Sequence, residues 1–363
     1  MSLSAISNNQ NQEIQEEETK FFSHTNINFE GYQEDSIYSY STLSSGGYTN
    51  CVITEDQRVV CWGSNDQGKR GLGGGIDNAS VTPVGKAGPW VVGNLSGGMV
   101  EVSSGGWSAC SLKQTGEIWC WGGGEYGQLG SGNDVCQGST GSLACQQAQN
   151  HPPVKVSLPL GRTAVSLSDA NQGHFCAILD NGDGICWGWN ENGQLGDGTV
   201  CSGGSYWQDN INPTPAGCNS KNGRYTPAVI DDSNFPANSS FISISMGQRH
   251  SCGIIDNNDL YCWGQNNYGQ LGIGLSDFQN YPTPQFVASN VIAVGTGDQH
   301  SCALYENQNV KCWGRNHMGQ LGTGDSYLYS SPQAINLSTN ILLISLESAY
   351  NSNCVITEEF ETY

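Results

Sequence analysis

Apolar residues in this chain come in short runs, often alternating with polar ones, a period of two that argues for half-buried strands. Residues 291–337 show the pattern four times: Val291–Val294, His300–Leu304, Val310–Trp313, and a segment entered through Pro332 that includes Ala334–Leu337. No window there carries the period of a helix. Ten residues separate Cys51 from Cys61, Cys110 from Cys120, Cys176 from Cys186, Cys252 from Cys262 and Cys302 from Cys312. Trp-Gly follows each second cysteine, at Trp62, Trp121, Trp187, Trp263 and Trp313. The four-segment unit therefore recurs, and its shortest spacing, Trp263 to Trp313, is 50 residues.

The middle two segments predict a hairpin with a readable register. If Cys302 faces Cys312, Leu304 faces Val310 on the same side, and Trp313 falls on the other side opposite Ser301. The matching partners are Ala109 and Ser251, small enough to leave room for an indole, with Phe175 as the exception. The turns end in Gly116, Gly182 or Asn258, residue types that tolerate the left-handed conformation of a three-residue hairpin loop. One four-stranded antiparallel sheet per unit, repeated radially, is an all-β propeller. Five complete blades are expected over 36–338, with insertions near 131–151 and 198–226. An incomplete sixth blade follows over 339–363, where the partner of Cys354 would fall at 364, one residue past Tyr363.

Gly-Gln-Leu-Gly follows each hairpin at 127–130, 193–196, 269–272 and 319–322, with a degenerate form over 68–73. A phosphate-binding loop would need a helix after it. None is predicted, so the glycines are assigned to tight turns and the leucine to the core. The segments Asp298–Gly322, Gln248–Gly272 and Gly173–Gly196 share Gly-x-x-His-Ser-Cys-Ala-Leu and Cys-Trp-Gly-x-Asn-x-x-Gly-Gln-Leu-Gly, or close variants. This pattern resembles the repeats of the regulator-of-chromosome-condensation family, and the resemblance covers nearly all of the chain after Ser36. It implies a propeller, usually of seven blades.

Thirty-three acidic residues against thirteen basic give a net charge of −20. That balance disfavours nucleic acid and anionic lipid as partners. Residues 1–35, with Glu16-Glu17-Glu18 among Asn, Gln and Ser, read as a disordered acidic tail. No run approaches the ~18 apolar residues of a membrane span, and no signal peptide is recognisable.

The cysteines decide the expected compartment. Opposed residues in a non-hydrogen-bonded antiparallel pair lie near ~4.5 Å, within disulfide reach. Five pairs at one opposed position therefore predict five hairpin disulfides and an extracellular, periplasmic or cell-surface protein. Zinc would need four ligands, and each hairpin offers two at unsuitable spacing. Cys136, Cys145, Cys201 and Cys218 lie in the insertions and leave three connectivities open, local pairing being the simplest. Cys354 is expected to be unpaired. Sequons at Asn78, Asn94, Asn238 and Asn336 are compatible with export but carry little weight in a chain this rich in Asn and Ser.

No catalytic constellation, metal site or cofactor site is predicted. His174, His250 and His300 share one repeat position and are assigned to structural hydrogen bonds. The Gly-Trp-Arg-His-Thr type of motif found in a photoreceptive relative of this fold is absent, Gly106-Trp107-Ser108 being its nearest trace. Nucleotide exchange, the family's namesake activity, carries over at no residue. The loops that interrupt the repeat are the expected binding face, with Tyr206, Trp207, Asp209, Tyr225, Phe278, Tyr281, Tyr327 and Tyr329 as candidates. These residues point to a non-catalytic, exported propeller that recognises a protein, or else a glycan. The alternatives are an intracellular exchange factor or scaffold, and a carbohydrate-active surface protein.

Overall fold

A computed structural model describes residues 43–71, 89–132, 151–168, 172–201, 218, 222–335, 337 and 343–357. The expected tail over 1–35 lies outside the described residues, as does most of both insertions. The first blade comprises β1 (Leu43–Gly46), β2 (Thr49–Ile53), β3 (Val59–Gly63) and β4 (Trp90–Val91). The second holds β5 (Met99–Ser104), β6 (Ser108–Lys113), β7 (Ile118–Gly122) and β8 (His151–Lys155). The third holds β9 (Ala164–Leu167), β10 (His174–Leu179), β11 (Gly184–Trp189) and β12 (Gly223–Val229). The fourth holds β13 (Phe241–Met246), β14 (His250–Ile255), β15 (Leu260–Gln265) and β16 (Asn280–Ala288). In the fifth are β17 (Val291–Thr296), β18 (His300–Tyr305), β19 (Val310–Gly314) and β20 (Tyr329–Ala334), and β21 (Leu343–Ala349) pairs with β22 (Ser352–Thr357) to open a sixth. Each sheet runs antiparallel in chain order, and the first strand of each later blade packs against the first or second strand of the blade before it. The fold is an all-β propeller.

The register follows the alternation. Cys302 faces Cys312, Leu304 faces Val310, and Ser301 faces Trp313. Ala109 and Ser251 likewise face Trp121 and Trp263. The exception at Phe175 is accommodated by stacking: its ring lies 6.0 Å from that of Trp187, nearly parallel to it. The hairpin turns are left-handed not only at Gly116, Gly182 and Asn258 but also at Gln57 and Gln308. The loop length demands that conformation, and the same backbone hydrogen bonds close all five turns, so even glutamine adopts it. The fourth segment of the fifth blade differs from expectation. It begins before Pro332, at Tyr329, and ends at Ala334. As an edge strand it can hold a proline, whose missing N–H leaves no ladder bond unmade on the outer side.

Five disulfides close the hairpins at Cα separations of 4.0–4.1 Å, and a sixth joins Cys201 to Cys218. Cys354 is exposed and free, while Cys136 and Cys145 lie outside the described residues. The core lies between blades rather than within them. One apolar cluster runs from Cys110 through Trp187 to Trp263, spanning the second, third and fourth blades. Both faces of a middle strand are therefore buried, as every residue of β10, β14 and β18 shows.

Candidate binding face

Each blade sends its first turn and its Gly-Gln-Leu-Gly loop to one end of the propeller, here termed the loop face. The hairpin turns and the connectors to the next blade lie at the other end. In the third, fourth and fifth blades an asparagine two residues after Trp-Gly builds the loop: Oδ1 of Asn190, Asn266 and Asn316 accepts from the backbone N–H of Leu195, Leu271 and Leu321 at 2.9–3.2 Å. Those leucines are buried. The next blade then locks the loop in place. Trp187, Trp263 and Trp313 donate Nε1–H to the carbonyls of Gln128, Gln194 and Gln270, each at 2.9 Å. A Cβ on Gly196, where φ is +74°, would stand 2.7 Å from Trp263 Nε1, which is why glycine occupies that position. In the first blade the loop is Gly68-Lys69-Arg70-Gly71, and Trp121 donates to the Lys69 carbonyl at 2.7 Å. The buried ammonium of Lys69 donates to the carbonyls of Gly47 and Gly106.

The histidines belong to the same blade-to-blade system. Nε2 of His174 and of His250 bonds the hydroxyl of Ser251 and of Ser301 on the following blade, at 2.8 and 2.9 Å. Each hydroxyl in turn donates at 2.9 Å to the glutamine carbonyl that also holds the tryptophan. His300 bonds Asn353 at 2.8 Å. The structural hydrogen bonds expected of these histidines thus go to side chains of the neighbouring blade. Burial pushes His174 and His250 down to about 3. The folded state keeps both neutral while the unfolded chain takes up protons below about pH 6.5. Their contribution is therefore complete above that pH and falls as pH drops toward 3, by about 1 kcal/mol per pH unit for each. Urea midpoints compared at pH 7 and pH 5 should show the loss, and His250→Gln should make that pH dependence shallower.

The sequence-nominated aromatics separate once their contacts are seen. Tyr206, Trp207 and Asp209 lie outside the described residues. Tyr281 and Tyr329 spend their hydroxyls fastening the loops of their own blades, donating to Asp277 at 2.9 Å and to Asp325 at 2.7 Å. The bond from Tyr329 holds the Asp325 carboxyl below its usual range. Arg224, the matching residue of the third blade, pairs with Asp197 at 2.6 Å instead. Tyr225 sits beside it, and its carbonyl accepts from Gly132 N–H of the previous blade. Phe278 and Tyr327 remain exposed, at 88% and 72%.

A second group on this face was not nominated. Trp107, Tyr126 and Trp189 form a triangle across the second and third blades, with ring centroids 5.5–6.1 Å apart. The guanidinium of Arg249, from the fourth blade, lies 4.8 Å over the Trp189 ring. Arg315, from the fifth, lies 4.9 Å over Tyr268. Trp107, Tyr126, Tyr268 and both arginines are half-buried. Arg315 donates to Gln299, whereas the nitrogens of Arg249 meet no hydrogen-bond or carboxylate partner among the described residues. These side chains occupy variable positions of the repeat, widely separated in sequence, and only the packing of successive blades aligns them.

Among the described residues no group of three or more His, Cys, Asp or Glu is placed to hold a metal ion. An open cavity of about 600 Å³ lies at the opposite end, lined in part by Glu117, Lys155 and Arg162. Glu117 and Lys155 pair there at 2.6 Å.

The regulator of chromosome condensation repeat matches residues 115–178 and 257–304 in one version and 41–69, 99–128, 241–270 and 291–320 in another, together about half of the chain. The ultraviolet-B receptor UVR8 of Arabidopsis thaliana is 29% identical over 241 residues, 66% of this chain and 44% of the receptor. Human RCC1 domain-containing protein 1 is 28% identical over 181 residues, 45% of this chain and 44% of that protein. The chain thus spans less than half the length of these curated relatives. Among solved structures, human WBSCR16 superposes with a TM-score of 0.66 at 17% identity, over 87% of this chain and 71% of that one. Yeast RCC1 (Prp20), solved bound to Kap60, gives 0.65 at 18% identity, over 93% and 71%. With matching repeats in register along its blades, the chain belongs to the regulator of chromosome condensation repeat family.

Proposed function

We propose that this chain is part of an exported or cell-surface propeller that recognises another protein through its loop face and carries out no catalysis. The strip of Trp107, Tyr126, Trp189, Arg249, Tyr268 and Arg315 carries the reading. Trp, Tyr and Arg dominate binding energy in protein interfaces because they bury large rigid surfaces and offer directed donors. Arg249 brings donors that no described residue of its own chain fills, in a protein of net charge −20. The six disulfides support an oxidising compartment. Yeast RCC1 (Prp20), which shares this fold, has been solved with another protein, Kap60, bound to it.

The test is affinity capture from the extracellular or surface fraction of the source cells, comparing the wild type with a Trp107→Ala, Arg249→Glu double variant. Loss of about 10-fold or more of the captured partner is expected, the size of a central hot spot. Capture unaffected by the double variant would remove this face from the reading. The relatives favour a second reading, an intracellular scaffold or exchange factor. It requires reduced cysteines, and stimulation of nucleotide release from a small GTPase would select it. The glycan alternative rests on Trp207, outside the described residues.

A further inference from the structure

We infer that Asn94 and Asn238 are N-glycosylation sites, placed so that their glycans project from the end opposite the loop face. The inference rests on the export reading above. Asn94 lies in the connector from β4 to β5, five residues before Met99, and Asn238 in the connector from β12 to β13, three residues before Phe241. Both are exposed, and neither side-chain amide has a hydrogen-bond partner among the described residues. Each has the serine a sequon requires two residues on, Ser96 and Ser240.

The backbone explains why asparagine recurs here, and also what it leaves unexplained. Each of the four described connectors holds a left-handed residue: φ is +60° at Asn94, +76° at Gly161, +63° at Asn238 and +61° at Asn290, with Gly98 at +95° a second one in the first connector. Asparagine and glycine meet that need equally. Asn290 shows the conformational role alone, since Val291 and Ile292 follow it. The serines at 96 and 240 are not required by the turn, and they turn two of these positions into acceptors. No described sequon falls on the loop face, so glycans here would leave the aromatic and arginine strip uncovered. Asn78 and Asn336 lie outside the described residues.

The reaction transfers an oligosaccharide from a polyprenyl-diphosphate donor. The amide nitrogen bonds to the anomeric carbon, the carbon–oxygen bond to the diphosphate breaks with its electron pair leaving on phosphate, and the displaced amide proton passes to a base. Nothing is oxidised or reduced.

A non-reducing tryptic digest of natively sourced protein, treated with a peptide N-glycosidase in heavy-oxygen water, tests this. Peptides 87–113 and 225–249 hold one sequon each, and 87–113 carries Cys110, bound through Cys120 to peptide 114–155. Both sequons converted to heavy-oxygen aspartate, with the disulfide intact, is the expected result. An intact disulfide with unconverted asparagines overturns the glycosylation and leaves the export reading standing. A free Cys110 thiol with unconverted asparagines overturns both.

Discussion

Reduction of the five hairpin disulfides is expected to unfold the propeller in urea concentrations that leave the oxidised protein native. Each bond closes a loop of about eleven residues, worth up to ~3 kcal/mol by restriction of the unfolded chain. Five together are comparable to the whole stability of an ordinary domain, about 5–15 kcal/mol. The effect is tempered because the freed thiols stay buried as small apolar groups, in strands whose register the backbone ladder still holds. Tryptophan fluorescence during urea titration, with and without reductant, gives the measurement. A midpoint that does not move after thiol counting shows complete reduction would sink the stapling role. Replacing Cys252 and Cys262 together by alanine isolates one bond and should cost about 2–3 kcal/mol.

Truncation of Trp263 should be the most damaging single substitution tested. Its side chain is fully buried between the third and fourth blades, and Nε1 ties it to the Gln194 carbonyl at 2.9 Å. Trp263→Ala should destabilise by about 3–5 kcal/mol through the cavity it leaves. Trp263→Phe keeps most of the volume and forfeits the hydrogen bond, about 1 kcal/mol, plus some packing. The Gln194 carbonyl keeps Ser251 as a donor in either variant. Trp62 provides the control: it holds the same repeat position but is only half-buried, with no preceding blade among the described residues to cover it. Trp62→Ala should therefore cost clearly less than Trp263→Ala. Equal losses in chemical denaturation would mean that the tryptophans act within their own hairpins, and the lock between blades would lose its support.

Both expectations bear on recognition. The proposed binding face, assembled from four blades, needs those blades held in fixed relation, or the triangle of Trp107, Tyr126 and Trp189 and the arginine over it would not persist. The disulfides tie strands within a blade, and the tryptophan, histidine and serine network ties one blade to the next. Rigidity of this kind lowers the ordering cost of docking.

Much of this was legible in the chain. Alternation determined the strands, the ten-residue cysteine spacing determined the hairpin register down to Ser301 opposite Trp313, and the glycines marked the loops. These features are local, set by a side-chain period of two and by turn geometry. The loop face, too, could be named from where the insertions interrupt the repeat.

What the sequence could not separate was Tyr281 from Phe278, or Tyr329 from Tyr327. Each pair reads as neighbouring aromatics among polar residues, yet one hydroxyl finds the aspartate of its own loop and the other ring stays in solvent. Nor could it show that Trp189 and Arg249, sixty residues apart, lie face to face, or that the repeated histidines reach across to serines of the next blade. Local pattern determined the hairpin of every blade, because its pairing is decided by neighbours in sequence, whereas the fourth strand of the fifth blade was misplaced. Contacts between blades were decided by the packing of one blade on the next, which brings together variable positions that no single repeat encodes.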